Sequence, residues 1–310
     1  MNFINVKDNK NVFADGIHDD TKAIQACIDA VKDGGTVYFP DGTYLVSAAL
    51  IFYSNQHFMF SDKATVLRSD KSEPLTRYLL ASYSEPAWGG YDGTHDVVIS
   101  GGIFDGNANL TEHSTLVNTV HCNNITIENC RFVHCSQWHF IEINSSENVT
   151  VKNCFFDGTT YTVINDGLRN EMLQLDCASV NSYGPVYNCD GRHIEHCIDD
   201  TACRNIVIKS NIFKCNGFPA IGHHADCEHY NIEISNNIFD GPSGMNSMSR
   251  GYIIFRPQVH GIKILDNAFF APEESDSANI GVIIENPSKD SLTADGNLFK
   301  GDILKEFTTE

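Results

Sequence analysis

Basic residues are scarce in this chain: Lys and Arg total 21 against 40 Asp and Glu, a formal charge of −19 at pH 7. So acidic a surface repels phosphate backbones and anionic lipid, which excludes nucleic acid and membrane surfaces as partners. No apolar run is long enough to span a bilayer, which takes about 20 residues. The opening Met1-Asn-Phe-Ile-Asn-Val-Lys-Asp8 lacks the charged-then-apolar pattern of a secretory leader. The expectation is a mature form or a protein not exported by that route. The 11 cysteines are odd in number. Cys189, Cys197 and Cys203, near His193 and His196, are spaced Cys-x7-Cys-x5-Cys, unlike the close pairs of structural zinc sites. No metal site is expected there. Cys130 and Cys154 fall at matching repeat positions, as small buried residues of a mainly reduced protein would. A cytoplasmic or virion-associated location follows as an expectation.

What is present is one phrase written repeatedly. It reads Asn124-Ile-Thr-Ile-Glu-Asn-Cys-Arg-Phe132, then Asn148-Val-Thr-Val-Lys-Asn-Cys-Phe-Phe156 and Asn205-Ile-Val-Ile-Lys-Ser-Asn-Ile-Phe213. It recurs at Asn231–Phe239 and Gly261–Phe269, and in degraded form at Ser291–Phe299. An earlier copy ends at Phe104. Successive starts lie 24 to 30 residues apart, except for a gap of 57 between Asn148 and Asn205. A fixed period of this size marks a solenoid, and alternating apolar residues make each unit strand-based. The sequence therefore predicts an all-β, right-handed parallel β-helix over residues 1–310, with a cap and first strands in 1–50 and repeat coils over 95–300. Identical positions of successive coils stack at the strand spacing, roughly 4.8 Å.

A second strand follows each phrase: Phe140-Ile-Glu-Ile-Asn144, Met172-Leu-Gln-Leu-Asp176, Ala220-Ile-Gly-His-His224 and Tyr252-Ile-Ile-Phe-Arg256. If Ile141, Ile143, Leu173, Leu175, Ile253 and Phe255 point inward, then Glu142, Asn144, Gln174, Asp176 and Arg256 point outward. In the third of these strands His224 is outward if Ile221 is inward; otherwise His223 takes that place. Carboxylate, imidazole and guanidinium on successive rungs form a candidate catalytic column. The long gap carries two loops, 158–170 and 177–202, expected over the groove because solenoids place insertions on one face. Asp166, Tyr183 and Asp200 in these loops, with Trp88 from an earlier segment, suit a sugar's hydroxyl edges and C–H faces.

Asp20 or Thr21 is placed to cap a helix running to about Lys32, with Ala23, Ile24, Cys27, Ile28 and Val31 as its apolar stripe. Gly34-Gly35, the strand Thr36–Phe39 and the turn Pro40-Asp-Gly42 follow. This block, Asp15-Gly-Ile-His-Asp-Asp-Thr21 through Val46, resembles the N-terminal signature of the pectate-lyase-like superfamily of β-helix proteins, which includes polygalacturonases, rhamnogalacturonases and phage tailspikes. The resemblance implies carbohydrate chemistry, and a monomer or, as in phage relatives, a homotrimer. Gly222-His223 is similar to the polygalacturonase Gly-His step, and Arg256 to its later basic residue. Gln174-Leu175-Asp176 stands where that family carries paired aspartates, while Asp199-Asp200 lies in the next loop.

The expected function is a glycoside hydrolase acting on an oligo- or polysaccharide. Asp176 is the general acid beside a second carboxylate, such as Glu142, Asp166 or Asp200; His224 or His223 orients or protonates, and Asn144, Gln174 and Arg256 contact substrate. No cofactor is required. A polysaccharide lyase acting on uronates is the alternative enzyme, with calcium held by Asp-rich loops. A glycan-binding or virion module is the non-enzymatic one.

Overall fold

The computed structural model describes residues 2–71, 76–110, 112–158, 171–180, 186–216, 218–223, 227–242, 251–256, 258–273, 279–284 and 292–309. Among the described residues, three sheets of 10, 10 and 9 strands run the length of the molecule, and every pairing within them is parallel. Each coil contributes one strand to each sheet, as a parallel β-helix requires. The repeated phrase supplies two of them, for example Asn123–Glu128 in the first sheet and Arg131–Val133 in the second.

Residues in the left-handed region turn the chain between those strands. Asn129, Asn153, Ser210, Asn236 and Asp266 have φ between 54° and 57°, a conformation in which short polar side chains are enriched. Past each turn, the position two residues before the Phe points inward. Cys130 and Cys154 occupy it first; Asn211, Asn237, Asn267 and Asn297 follow. Each later Asn side chain accepts the backbone N–H of the preceding one at 2.9–3.0 Å, so the ladder satisfies donors the turn would leave buried. The Phe residues then stack from Phe104 to Phe299, ring centroids 4.6–5.2 Å apart and ring planes nearly parallel. A second Asn ladder, Asn148–Asn205–Asn231, runs along the surface with 3.1 Å side-chain bonds. Gly261 takes over there at φ 65°, where a Cβ would meet Asn231 Oδ1 at 2.9 Å.

The helix Thr21–Asp29 closes the N-terminal end, burying Ile24, Cys27 and Ile28. It is shorter than the sequence suggests, ending before Lys32, with turns continuing to Asp33. Asp20 stands at the N-cap position but its carboxylate turns away, accepting Phe13 N–H at 2.6 Å and Ala14 N–H at 3.0 Å. Gln25 closes the open edge of the third sheet. Its amide donates to Ile51 O at 2.9 Å and accepts Ile51 N–H at 2.8 Å, as a paired strand would.

Candidate functional site

The outward face of the third sheet carries the candidate column. Ile141–Asn144 pairs with Leu173–Asp176, setting Glu142 beside Gln174 and Asn144 beside Asp176. Ile141, Ile143, Leu173 and Leu175 lie in the core, so the alternation puts all four polar residues on the other side. They do not face open solvent: Glu142 is 5% exposed, Asn144 1%, Gln174 6% and Asp176 2%. Glu142 accepts hydrogen bonds from Thr115 Oγ1 at 3.2 Å and Asn144 Nδ2 at 3.1 Å. Burial pushes its carboxyl above the ordinary 4.5, against the opposing pull of Asn144, Thr115 and Asn118. Asp176 Oδ1 accepts the N–H of Cys177 at 2.7 Å.

His223 does not share this face. It is the register partner of Leu175, as Ile221 is of Leu173, and it is 3% exposed between Phe255 and His229. Its inward place is a correction to its candidacy as a groove residue: Ile221 fills the core and fixes the phase. His223 Nδ1 instead accepts the backbone N–H of Arg256 at 3.3 Å, anchoring the start of the turn that carries the half-buried Arg256. His224, Asp166 and Tyr183 lie outside the described residues.

One carboxylate was not anticipated. Gly222 takes the outward position beside Gln174, and the side chain of Glu171, 3% exposed, fills the space its missing Cβ leaves. Glu142 and Asp176 thus lie on two neighbouring coils of one covered face, and Glu171, from the coil of Asp176, reaches toward the next. The sequence signal was the glycine in a place otherwise held by large side chains.

The insertion after Asp176 packs over the N-terminal end of this face. Ser145 joins both its ends, accepting Ala178 N–H and donating to Thr201 O, each at 2.8 Å. His121, fully buried, bridges Gly90 O and Cys197 O at 2.8 Å each. Between these anchors the hairpin Val186–Tyr187 and His193–Ile194 lays Val186 and Ile194 on Ala49, Ile51, Tyr78 and Ala81. Asp200 is exposed, and its backbone N–H donates to Ala178 O at 3.3 Å, two residues past Asp176.

The cysteines match the expectation of a mainly reduced protein, with one bridge added. Nine are free, seven of them buried, but Cys177 and Cys227 form a disulfide, tying the residue after Asp176 to a later coil. Cys203 donates to Ile143 O and Asp176 O in the core, apart from Cys189 and Cys197. Among the described residues the one cluster with metal-ligand geometry is Asp176, Cys177 and Cys227. Two sulfurs do not suit calcium, which takes oxygen ligands.

Trp88 lies elsewhere on this face, in a cavity of about 690 Å³ where the capping helix, the segment after Tyr78–Ser82 and the insertion hairpin meet. Tyr53, Tyr83 and Trp88 form one wall, with centroids 5.3 and 5.5 Å apart.

A family model described as rhamnogalacturonase A/epimerase, pectate lyase-like, matches residues 3–165, more than half of the chain. The chain belongs to this pectate lyase-like family. Among curated relatives, plasmin and fibronectin-binding protein A of Streptococcus pneumoniae is 33% identical over 270 residues, 76% of this chain and 36% of that protein. Alginate lyase 7 of Azotobacter vinelandii is 32% identical over 171 residues, 48% of this chain and 19% of the lyase. This pectate lyase-like chain therefore spans about a third or less of those relatives' lengths. The crystal structure of PfbA, a surface adhesin of Streptococcus pneumoniae, superposes with a TM-score of 0.76 at 23% identity, covering 98% of this chain and 80% of that one. That likeness bears on the fold alone.

Proposed function

We propose that this protein is a glycoside hydrolase acting on an oligo- or polysaccharide along the outward face of the third sheet. The observation that carries this reading is the set of buried carboxylates on adjacent coils, one of them lifted above its ordinary range by burial. Carboxyl groups held in unlike environments are what acid/base catalysis at a glycosidic bond requires. Glu142, raised by burial, takes the general-acid role in this reading, protonating the leaving oxygen. Asp176 is the base that activates water. In the strand register Glu142 and Asp176 are diagonal neighbours, whose backbone positions are about 8 Å apart. Inverting enzymes hold their two carboxyl groups roughly 6.5–9.5 Å apart, so inversion is the outcome this reading expects. Arg256 contacts the substrate two coils farther along, its backbone positioned by His223.

Binding without catalysis is the second reading. It is favoured by the low exposure of the column and by a relative named for binding plasmin and fibronectin. A glycan panel read for reducing ends and for absorbance near 235 nm separates the readings. Reducing ends without absorbance support hydrolysis. Both signals together mean elimination, in keeping with the alginate lyase relative, and binding with neither signal supports the adhesive reading.

A further inference from the structure

We propose that the cavity beside the capping helix is a binding site for an uncharged sugar residue of a glycan lying on the same face, and that it rejects uronates. The inference rests on reading this face as a glycan groove, but not on its being catalytic. The cavity sits against Ile51, on the N-terminal strand of the third sheet, and Ser84, just past the next strand. Glu142 and Asp176 are three and four strands from Leu50–Phe52 in that sheet, about 14 to 19 Å along the axis. It is therefore a separate pocket, reached by an occupant extending several sugar units from the carboxylate column.

Its size falls within the range of small-ligand sites, about 300–1,000 Å³. Tyr53, Tyr83 and Trp88 are each half-buried, so their rings touch one another and still present area to the cavity. Apolar ring faces with polar edges match a pyranose, which has C–H faces and hydroxyl rims. The polar groups are already oriented. Tyr53 donates its hydroxyl to Asp29 at 3.1 Å and Tyr83 to Glu85 at 2.8 Å, leaving the second oxygen of each carboxylate to accept from a ligand hydroxyl.

Charge decides the class of sugar. Arg192 is an exposed partner of Asp190 at 3.5 Å. Lys32 then stands alone against Asp29, Asp33, Glu85 and Glu195. A carboxylated sugar placed among these groups meets net negative charge at short range, where screening is weak. An uncharged one loses nothing.

The chain has two tryptophans, and Trp138 stacks on His113 with centroids 4.9 Å apart, outside the cavity lining. In Trp138→Phe protein the emission therefore reports Trp88. Titration with galacto-, manno- and cello-oligosaccharides of four to six units should give a saturable change with at least one of them. Oligogalacturonate of equal length should give none at the same concentrations. Tyr83→Ala should weaken the response at least tenfold with the thermal transition retained, whereas Asp176→Asn should leave it unchanged. Asp33→Lys combined with Glu195→Lys, both at exposed positions, should admit oligogalacturonate. No saturable response to the neutral set, equal binding of oligogalacturonate, or tighter binding of a chitosan oligomer overturns the inference. A saturable neutral response in a protein that cleaves nothing would sink the hydrolase reading and leave this one standing.

Discussion

Replacing Asn237 by alanine should be far more damaging than replacing Asn231, although both belong to Asn ladders of the same coil. Asn237 is 1% exposed and holds four side-chain bonds. Its Oδ1 accepts the N–H of Asn211 at 2.9 Å and Asn211 Nδ2 at 3.0 Å. Its Nδ2 donates to Ile208 O at 2.9 Å and to Asn267 Oδ1 at 3.0 Å. Alanine strands the Asn211 donors and weakens the Ile208 carbonyl, at about 1–3 kcal/mol for each buried group left unpaired. The sum is about 3–6 kcal/mol. Asn231 is exposed, donating to Asn205 Oδ1 at 3.1 Å. Its φ of 57° suits glycine, and Gly261 already stands at that rung in the next coil. Asn231→Gly should therefore change stability by no more than about 0.5 kcal/mol. With an unfolding entropy of about 2.1 cal/mol/K per residue, Asn237→Ala should lower Tm by about 5–9 °C. Calorimetry with urea titration on both variants measures the contrast. Equal stability of the two, within about 1 kcal/mol, would refute the view that the inner ladder compensates buried turn donors.

Glu142→Gln should progressively gain stability over the native protein as pH rises above the ordinary 4.5. A carboxyl whose folded pKa is raised favours folding most below its unfolded value and loses that contribution as pH climbs through the folded one; urea midpoints across pH test this, and parallel curves would contradict it. His229 is held down to about 3 by burial, so its contribution is lost as pH falls from 6.5 toward that value, by about 1.4 kcal/mol per pH unit. His229→Asn, whose Oδ1 is placed to accept the Cys203 N–H that now reaches Nδ1 at 3.0 Å, should flatten that acid limb of the same titration. Thiol counting of denatured, unreduced protein should find nine of the 11 cysteines free, and Cys177→Ser should raise the count by one, to ten.

The features legible in the sequence were those the repeat enforces. Alternation around Ile141, Leu173 and Ile253 set the inward face of the third sheet. The Phe at the end of each phrase marked the stacked column, and Asn144 and Asp176 could be placed on one rung because coils repeat in register. The choice between His223 and His224 turned on whether Ile221 is inward, a single apolar residue whose neighbours are Ala220 and Gly222. What could not be read was everything the insertion does. Its residues follow no period, so nothing announced that Val186 and Ile194 cover Ile51 and Ala81 at the N-terminal end of the third sheet's outward face. The cavity at Trp88 needs Asp29 and Arg192 to meet from opposite ends of more than half the chain. The pairing of Cys177 with Cys227 was one choice among many for 11 cysteines. Asp20 has the composition of a cap, yet its carboxylate is drawn off by the N–H groups of Phe13 and Ala14.

The central claim, that Glu142 and Asp176 act as a pair on a glycan, is tested most directly by single-turnover cleavage of a substrate found on the glycan panel. Glu142→Gln and Asp176→Asn are nearly isosteric, so each should bind that substrate with a Kd within about threefold of the native protein. Each should also lower the cleavage rate by at least about a hundredfold, the low end of what general acid or base catalysis contributes. Cleavage by both variants at the native rate would contradict the account.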